Sequence, residues 1–296
     1  IGAVLGLGLA AVRALRLLAR WRPAAVLSVG GYAGVPCAAA AVLLRVPLVL
    51  HDQNAVPGLA NRLAGRFARA SAVSFDGTPL PRAVVTGNPV RPEVLAADRS
   101  PDGRRAARQA LGLPDTGLVL AVFGGSLGAR RINEAVAALV QAWSPGIELT
   151  LYHVVGSRDW GSRSWPRQAA REGVGYQAVE YEERMPLLLA AADLALCRAG
   201  GTSVAELAAV GLPSILVPLP SAPGDHQTAN ARALVRAGAA VMVSDDELDA
   251  NRLGAELEAI LADRSRIEAM GQAALGLARP DAAERVAALV ESHARG

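Results

Sequence analysis

The chain of 296 residues contains no lysine; all 30 of its basic residues are arginine. That pattern reads as the codon usage of a GC-rich genome rather than as a binding chemistry. Cysteine is nearly missing too. Cys37 and Cys197 stand far apart, which excludes a disulfide scaffold and fits a reducing compartment. The four histidines, His51, His153, His226 and His293, show no HxxxH or Cys/His spacing. No zinc site is therefore expected, and no metal or cofactor is implied. Aromatic residues make up only 4% of the chain, so the core must be built from Ala, Val and Leu. Net charge is a modest +3, and no arginine-rich tract with interleaved aromatics occurs. Nucleic acid is excluded as a partner on that ground. An anionic membrane surface is not, if the arginines cluster.

What is present begins with an apolar run over 1–12, too short to span a bilayer, which takes about 18–20 residues. Arg13, Arg16, Arg20 and Arg22 follow at near-helical spacing. The plain reading is a buried helix. The sharper one is an amphipathic helix on an anionic membrane, Leu toward lipid and Arg toward headgroups. Gly6, Gly8 and Ala11 mimic a dinucleotide fingerprint. Such a loop needs a full strand before it and an acid about 20 residues on. Only five residues precede Gly6, and the first acid is Asp52, so the match is chance.

Short Val/Leu runs alternate with longer Ala/Leu/Arg segments. Strands are predicted at 24–29, 47–51, 84–86, 118–123, 149–155, 193–197, 214–218 and 239–243. Helices are predicted at 129–143, 185–192, 203–209 and 229–237. Unbroken apolar strands alternating with helices imply an α/β fold with parallel sheets covered on both faces. VLSVGGYAGVP and VLAVFGGSLGA repeat one pattern, a strand running into a Gly-Gly turn. Between them GNPVRPEV is proline-rich and 97–105 is polar. The length suggests roughly two domains, with a boundary near Pro89 and two Rossmann-like units. Ligands of such folds sit beyond the C-terminal strand ends.

The segment DLALCRAGGTSVAELAAVGLPSILVPLP carries the most chemistry. A strand ends at Cys197, and Gly200 and Gly201 allow a tight turn. Thr202 or Ser203 is positioned to cap the next helix. Backbone N–H groups and the helix dipole there suit a diphosphate. Glu206, expected on the first turn of that helix, suits the two hydroxyls of a ribose. A plain turn followed by a dipole-complementing acid is the alternative. About 20 residues on, GDHQTANA gathers Asp225, His226, Gln227 and Asn230 at a strand end. The Gln227 amide both donates and accepts, as sugar hydroxyls require; a solvated helix cap is the alternative. GGSLGARR offers backbone N–H groups and Ser126 but lacks the spacing of an ATPase loop. HDQN, at 51–54, ends a strand with four polar side chains, more than a turn needs. A structural role for His51 is equally compatible.

HDQN, GNPVR, GGSLGARRIN, CRAGGTSVAELAAVGLPSILVP and DHQTANA stand in the order and spacing of the MurG family. The chain resembles these UDP-N-acetylglucosamine–lipid I N-acetylglucosaminyltransferases from about its first residue to its last. The resemblance implies the two-Rossmann GT-B architecture. It implies 1–89 as the acceptor and membrane-side domain, 90–279 as the donor domain, and 280–296 returning to the first. The implied reaction moves N-acetylglucosamine from UDP to the 4-hydroxyl of undecaprenyl-linked lipid I, with inversion and no metal, giving lipid II at the cytoplasmic face of the bacterial membrane. By matching position, Glu206 would bind the ribose and Gly201, Thr202 and Ser203 the diphosphate, with Ser126 nearby. Gln227 would contact the sugar. Arg91 would sit at the hinge and reach the donor, and Asn54 would approach the transferred sugar. The uracil would lie near 180–185, and no catalytic base is assigned.

One departure stands out. The family opens with a strand and a GGTGGH-type loop thought to hold the acceptor pyrophosphate, and nothing here matches it. The first domain is therefore expected to be incomplete. The chain alone is expected not to turn over, and to bind UDP-sugar weakly or not at all unless that domain survives. The rivals are a sister transferase with another lipid or small-molecule acceptor, a UDP-sugar epimerase, and a non-catalytic UDP-sugar binder.

Overall fold

The computed structural model describes residues 2–125, 128–143, 147–162, 165, 168–171 and 173–295. The chain divides into two compact units. One comprises 1–89, 223–229 and 279–296; the other comprises 90–222 and 230–278.

The first unit opens with helix α1 (Gly2–Trp21). Gly6 and Gly8 lie inside this helix, so the fingerprint-like spacing forms no loop. Ala14 and Leu18 are buried and join Ala40, Ala41 and Val46 in a small core. Leu9, Val12, Leu17 and Trp21 stay exposed. Strand β1 (Val26–Ser28), helix α2 (Gly31–Leu43), strand β2 (Leu48–Asp52), helix α3 (Leu59–Ala64) and strands β3 (Ala70–Val73) and β4 (Ala83–Val85) follow. The four strands pair in sequence order, all parallel. β2 is buried along its whole length, as strands with both faces covered must be. The prediction missed β3. Its sequence ASAV is short, built on alanine and interrupted by Ser71, whose hydroxyl is satisfied by the Pro81 carbonyl at 2.8 Å.

Gly87 closes this region with φ +89°. A Cβ there would stand 2.5 Å from Arg279 Cβ. Backbone geometry and the close approach of 279 both require glycine at that point of GNPVR.

The start of the second unit is more ordered than its proline-rich and polar composition suggested. Helix α4 (Pro92–Leu95) occupies the proline-rich stretch, and α5 (Pro101–Leu111) starts inside the polar one. Ser100 caps α5 by accepting from the Gly103 N–H at 3.1 Å. Pro101 stands at its first position, and Gly112 ends it in the left-handed region. All three are strong helix-boundary signals. Then come β5 (Leu118–Phe123), α6 (Arg130–Ala142), β6 (Leu149–Val154), α7 (Ser157–Trp160), β7 (Gln168–Arg171), β8 (Val174–Val179), α8 (Met185–Ala191), β9 (Leu194–Cys197), α9 (Gly201–Val210) and β10 (Ser214–Leu216). After α10 (His226–Arg236) and β11 (Ala240–Met242), helices α11 (Ala250–Leu261) and α12 (Arg264–Leu277) complete the unit. The last helix, α13 (Ala282–Ser292), belongs to the first unit. Its Arg285 donates to the Val85 carbonyl at 2.6 Å.

The second sheet runs β11-β10-β9-β5-β6-β8-β7. It is parallel except for the β7–β8 pair, an antiparallel edge that the all-parallel expectation did not include. Its core joins Leu120, Val122, Ile132, Val136, Leu151, Leu196 and Ile215 with Leu257 and Ile260 of α11.

Candidate functional site

Strand order locates the site within the second unit. From β5 the chain winds outward through β6 and β8, then returns to the other side of β5 as β9, β10 and β11. The winding therefore reverses between β5 and β9. Their C-terminal ends lie side by side, Phe123 paired with Cys197. A crevice opens at such a switch point because the loops on either side leave in opposite directions, and open α/β sheets bind ligands there. One bordering loop is the glycine-rich turn after Phe123. Of it, Ser126 and Leu127 lie outside the described residues, so Ser126 receives no placement.

The other border is 198–200 and the start of α9. The helix begins two residues earlier than predicted. Gly200 is its N-cap, and no side chain caps it. Thr202 and Ser203 are thus second and third residues of the helix, not its cap, which corrects the expectation above. A glycine cap brings no side-chain acceptor to this end, and helix starts of that kind suit anions. The loop is held from behind. Asn230, fully buried, donates to the Ala199 carbonyl at 3.0 Å. Arg198 donates to the Val217 and Pro218 carbonyls, both at 3.1 Å, and pairs with Asp245 at 2.5 Å. Both side chains serve the loop. Burial pushes the Cys197 thiol up, so it stays protonated and is no nucleophile.

Glu206 is the sixth residue of α9 and lies on its second turn, not the first. It is buried. One of its oxygens, Oε1, accepts from Arg91 Nε at 3.2 Å and Nη2 at 3.1 Å. Arg91 caps the start of α4 by position, and its side chain is 53% exposed against 11% for Glu206. Burial raises the Glu206 carboxyl above the usual carboxylate range, and the Arg91 charge and hydrogen bonds oppose that rise. Two residues assigned to the donor are thus joined across 115 positions of sequence. Tyr181, 61% exposed just beyond β8, is an aromatic that sequence reasoning left unassigned. Its neighbour Glu182 is buried and accepts from Tyr152, which marks a fixed backbone around an outward ring.

Asn54 and Gln227 belong to the first unit. Asp52 explains why the HDQN loop is so polar. Its Oδ1 accepts from the Asn54 N–H at 3.0 Å, and its Oδ2 from the Gly58 N–H at 3.1 Å and Asn61 Nδ2 at 3.0 Å. Asp52 therefore shapes the turn that presents Asn54. His51 is buried, with Nε2 3.3 Å from the Gly87 carbonyl, and its role is structural. Gln227 follows a turn over Pro223–Asp225 in which Gly224 has φ +66°. That turn meets Val56 of the HDQN loop: a Cβ on Gly224 would lie 3.4 Å from Val56 Cγ1.

Burial holds the His51 imidazole below its ordinary value of 6.5. The unfolded chain takes up a proton that the folded one refuses, so its contribution to stability is complete above pH 6.5 and declines as pH falls below it. His51→Gln is expected to flatten that acid limb of a denaturation-midpoint profile. An unchanged profile would contradict the assignment.

Comparison with known proteins places the chain. Residues 119–286 match the glycosyltransferase family 28 C-terminal domain, and 1–73 its N-terminal domain. A UDP-N-acetylglucosamine–N-acetylmuramyl-(pentapeptide) pyrophosphoryl-undecaprenol N-acetylglucosamine transferase from Nocardioides sp. is 45% identical over 285 residues. The alignment covers 95% of this chain and 76% of that protein. The chain belongs to this transferase family. The crystal structure of Acinetobacter baumannii MurG superposes with a TM-score of 0.77 at 29% identity, over 95% of this chain and 77% of that one. The architecture is accordingly GT-B. A putative UDP-N-acetylglucosamine 2-epimerase from Listeria monocytogenes also aligns, with a TM-score of 0.65 over 97% of this chain and 79% of that one. Its 15% identity shows a shared fold alone. Among the described residues, no group of His, Cys, Asp or Glu is placed to hold a metal ion.

Proposed function

We propose that this chain serves the transfer of N-acetylglucosamine from UDP to the 4-hydroxyl of undecaprenyl-pyrophosphoryl-N-acetylmuramoyl-pentapeptide, the reaction that gives lipid II for peptidoglycan. The single observation that carries the donor half is the reversal of strand order between β5 and β9. There a helix start without a side-chain cap and a buried carboxylate stand on one helix, α9. In this reading the second unit is the donor domain and the first the acceptor and membrane-side domain. The N–H groups of Gly201, Thr202 and Ser203 take the diphosphate, helped by Ser126, and Glu206 takes both ribose hydroxyls. Arg91 serves the diphosphate as well. Asn54 and Gln227 are assigned to the transferred sugar, and Tyr181 to the base.

Transfer with inversion is one displacement. The acceptor oxygen bonds to C1 of the sugar while the bond from C1 to the β-phosphate oxygen breaks, and the hydroxyl proton leaves to a base. Negative charge grows on the departing diphosphate. Prearranged N–H dipoles lower the barrier there, since they need no reorganisation as that charge appears.

Calorimetry of UDP-N-acetylglucosamine against UDP-glucose and GDP-sugars tests the donor. Radiolabel transfer to lipid I, with a diacylglycerol as control acceptor, tests the acceptor. Equal affinity for GDP-sugars, or label on the diacylglycerol alone, would sink the reading. Acid provides a further check. Burial holds the Glu206 carboxyl above its usual range, so donor affinity is expected to fall on acidification at a higher pH than an ordinary glutamate would allow. Glu206→Gln should remove that dependence, and a wild-type affinity flat on acidification would contradict it.

Membrane attachment is assigned to the first unit. It carries twelve arginines against six carboxylates, and none of those acids precedes Asp52. The exposed side of α1 mixes Leu9, Val12, Leu17 and Trp21 with Arg13, Arg16 and Arg20. No described helix is long and apolar enough to cross a membrane. Such a face suits an anionic surface, where each arginine contributes about 1 kcal/mol. Co-sedimentation with phosphatidylglycerol vesicles, lost in high salt and absent with phosphatidylcholine, is the expected result. Equal binding to both lipids would refute the electrostatic part.

A further inference from the structure

The pairing of Arg91 with Glu206 bears on how a donor is selected, given the donor site proposed above. Glu206 lies within and Arg91 lies outside it: the carboxylate is nearly covered, while the guanidinium is half in solvent. Two of the three guanidinium nitrogens, Nε and Nη2, converge on one carboxylate oxygen. A ligand whose two vicinal hydroxyls are to reach that carboxylate must compete with this two-pronged grip. The geometry points to an exchange: when a nucleoside diphosphate binds, the Glu206 carboxylate passes from Arg91 to the ribose hydroxyls, and Arg91 passes from Glu206 to the diphosphate.

The exchange makes the two halves of the ligand depend on each other. A nucleoside without phosphate takes the carboxylate from Arg91 and offers nothing in return. A nucleoside diphosphate supplies a new anion to the displaced guanidinium, and charge-assisted, two-pronged contact with phosphate is what arginine does best. Selection of an intact nucleoside diphosphate over a nucleoside then needs no additional pocket. Arg91 is suited to move. It stands at the start of a helix of only four residues, and two positions past the end of the first unit at Pro89. It is a specificity-determining residue on this account, because it penalises an incomplete ligand.

The test is calorimetry of uridine and of UDP at about pH 8, well above the ordinary glutamate range, on wild type, Arg91→Gln and Glu206→Ala. With Arg91→Gln, uridine is expected to bind about threefold more tightly and UDP about tenfold more weakly, so their ratio contracts roughly thirtyfold. If uridine and UDP weaken in equal proportion, Arg91 merely orients Glu206 and the exchange is wrong. If neither changes, it is equally wrong. Glu206→Ala separates this from the site assignment, since it should weaken uridine and UDP together. Should it leave both untouched, the donor site itself is misplaced. Arg91→Lys keeps the charge without the two-pronged grip, and stands in if Arg91→Gln does not fold. Uridine should again gain while UDP loses, and a parallel loss of both overturns the exchange.

Discussion

Asp193→Ala is expected to cost the fold about 3–5 kcal/mol, the range for removing one partner of a buried ion pair. Asp193 sits just before β9, outside the strand that the sequence pattern assigned it to. Its Oδ2 accepts from Arg108 Nη2 at 2.8 Å and from the Val119 N–H at 2.7 Å. Its Oδ1 pairs with Arg104. The Arg108 side chain is only 7% exposed. Three carbonyls, of Asp115, Gly117 and Ala191, accept from it at 3.1 to 3.2 Å. Carbonyls satisfy its hydrogens but not its charge. Burial already lowers the Arg108 pKa, and Asp193 is the first influence opposing that. Without Asp193 the guanidinium is left charged and enclosed, and the Val119 N–H at the start of β5 loses its partner. Urea denaturation reads the effect as a lower midpoint at unchanged slope. Asp193→Asn, which keeps an acceptor but no charge, should fall between the two. A loss below about 1 kcal/mol for the alanine variant would show the pair to be worth no more than a surface contact.

Glu206→Ala should weaken UDP-sugar binding by about 1.5–3 kcal/mol, the value of hydrogen bonds to a charged group, which is roughly a tenfold to 150-fold rise in Kd. Stability should scarcely fall. The variant removes a carboxylate that burial disfavours, and the abandoned Arg91 is half in water already. That contrast separates a binding role from a structural one. Loss of binding with an unchanged denaturation midpoint supports the assignment. Unchanged binding refutes it, and a collapse of both would make Glu206 a structural residue. Glu206→Gln retains an acceptor and should lose less than alanine does.

Much of the fold is legible in the sequence, for local reasons. β5 and β9 are covered on both faces and therefore read as unbroken apolar runs. The strands that escaped prediction lack that signature. β8, VGYQAV, buries Val174, Tyr176 and Ala178 and leaves Gly175 and Gln177 partly open. Its neighbour β7 is the antiparallel edge of the sheet. Alternation of that kind is what partial cover produces, and a search for continuous runs passes over it. The ends of α5 carry chemical caps at Ser100 and Gly112, yet the polar composition of 97–105 hid that helix. The start was misjudged at α9, where Gly200 takes the cap by backbone shape and leaves Thr202 and Ser203 inside.

The sequence alone determined most of the strands and that the loop after Cys197 ends a strand and opens a helix. Each of those depends on neighbours a few residues apart. Only the tertiary structure decided that β9 returns beside β5, which makes a crevice of two loops some 70 residues apart. It alone joined Arg91 to Glu206 across 115 residues and Arg108 to Asp193 across 85. Charges so far apart in the chain carry no label for one another. Their partners are chosen by which strands pair and which helices cover them, and by the cost of leaving a buried charge without its opposite.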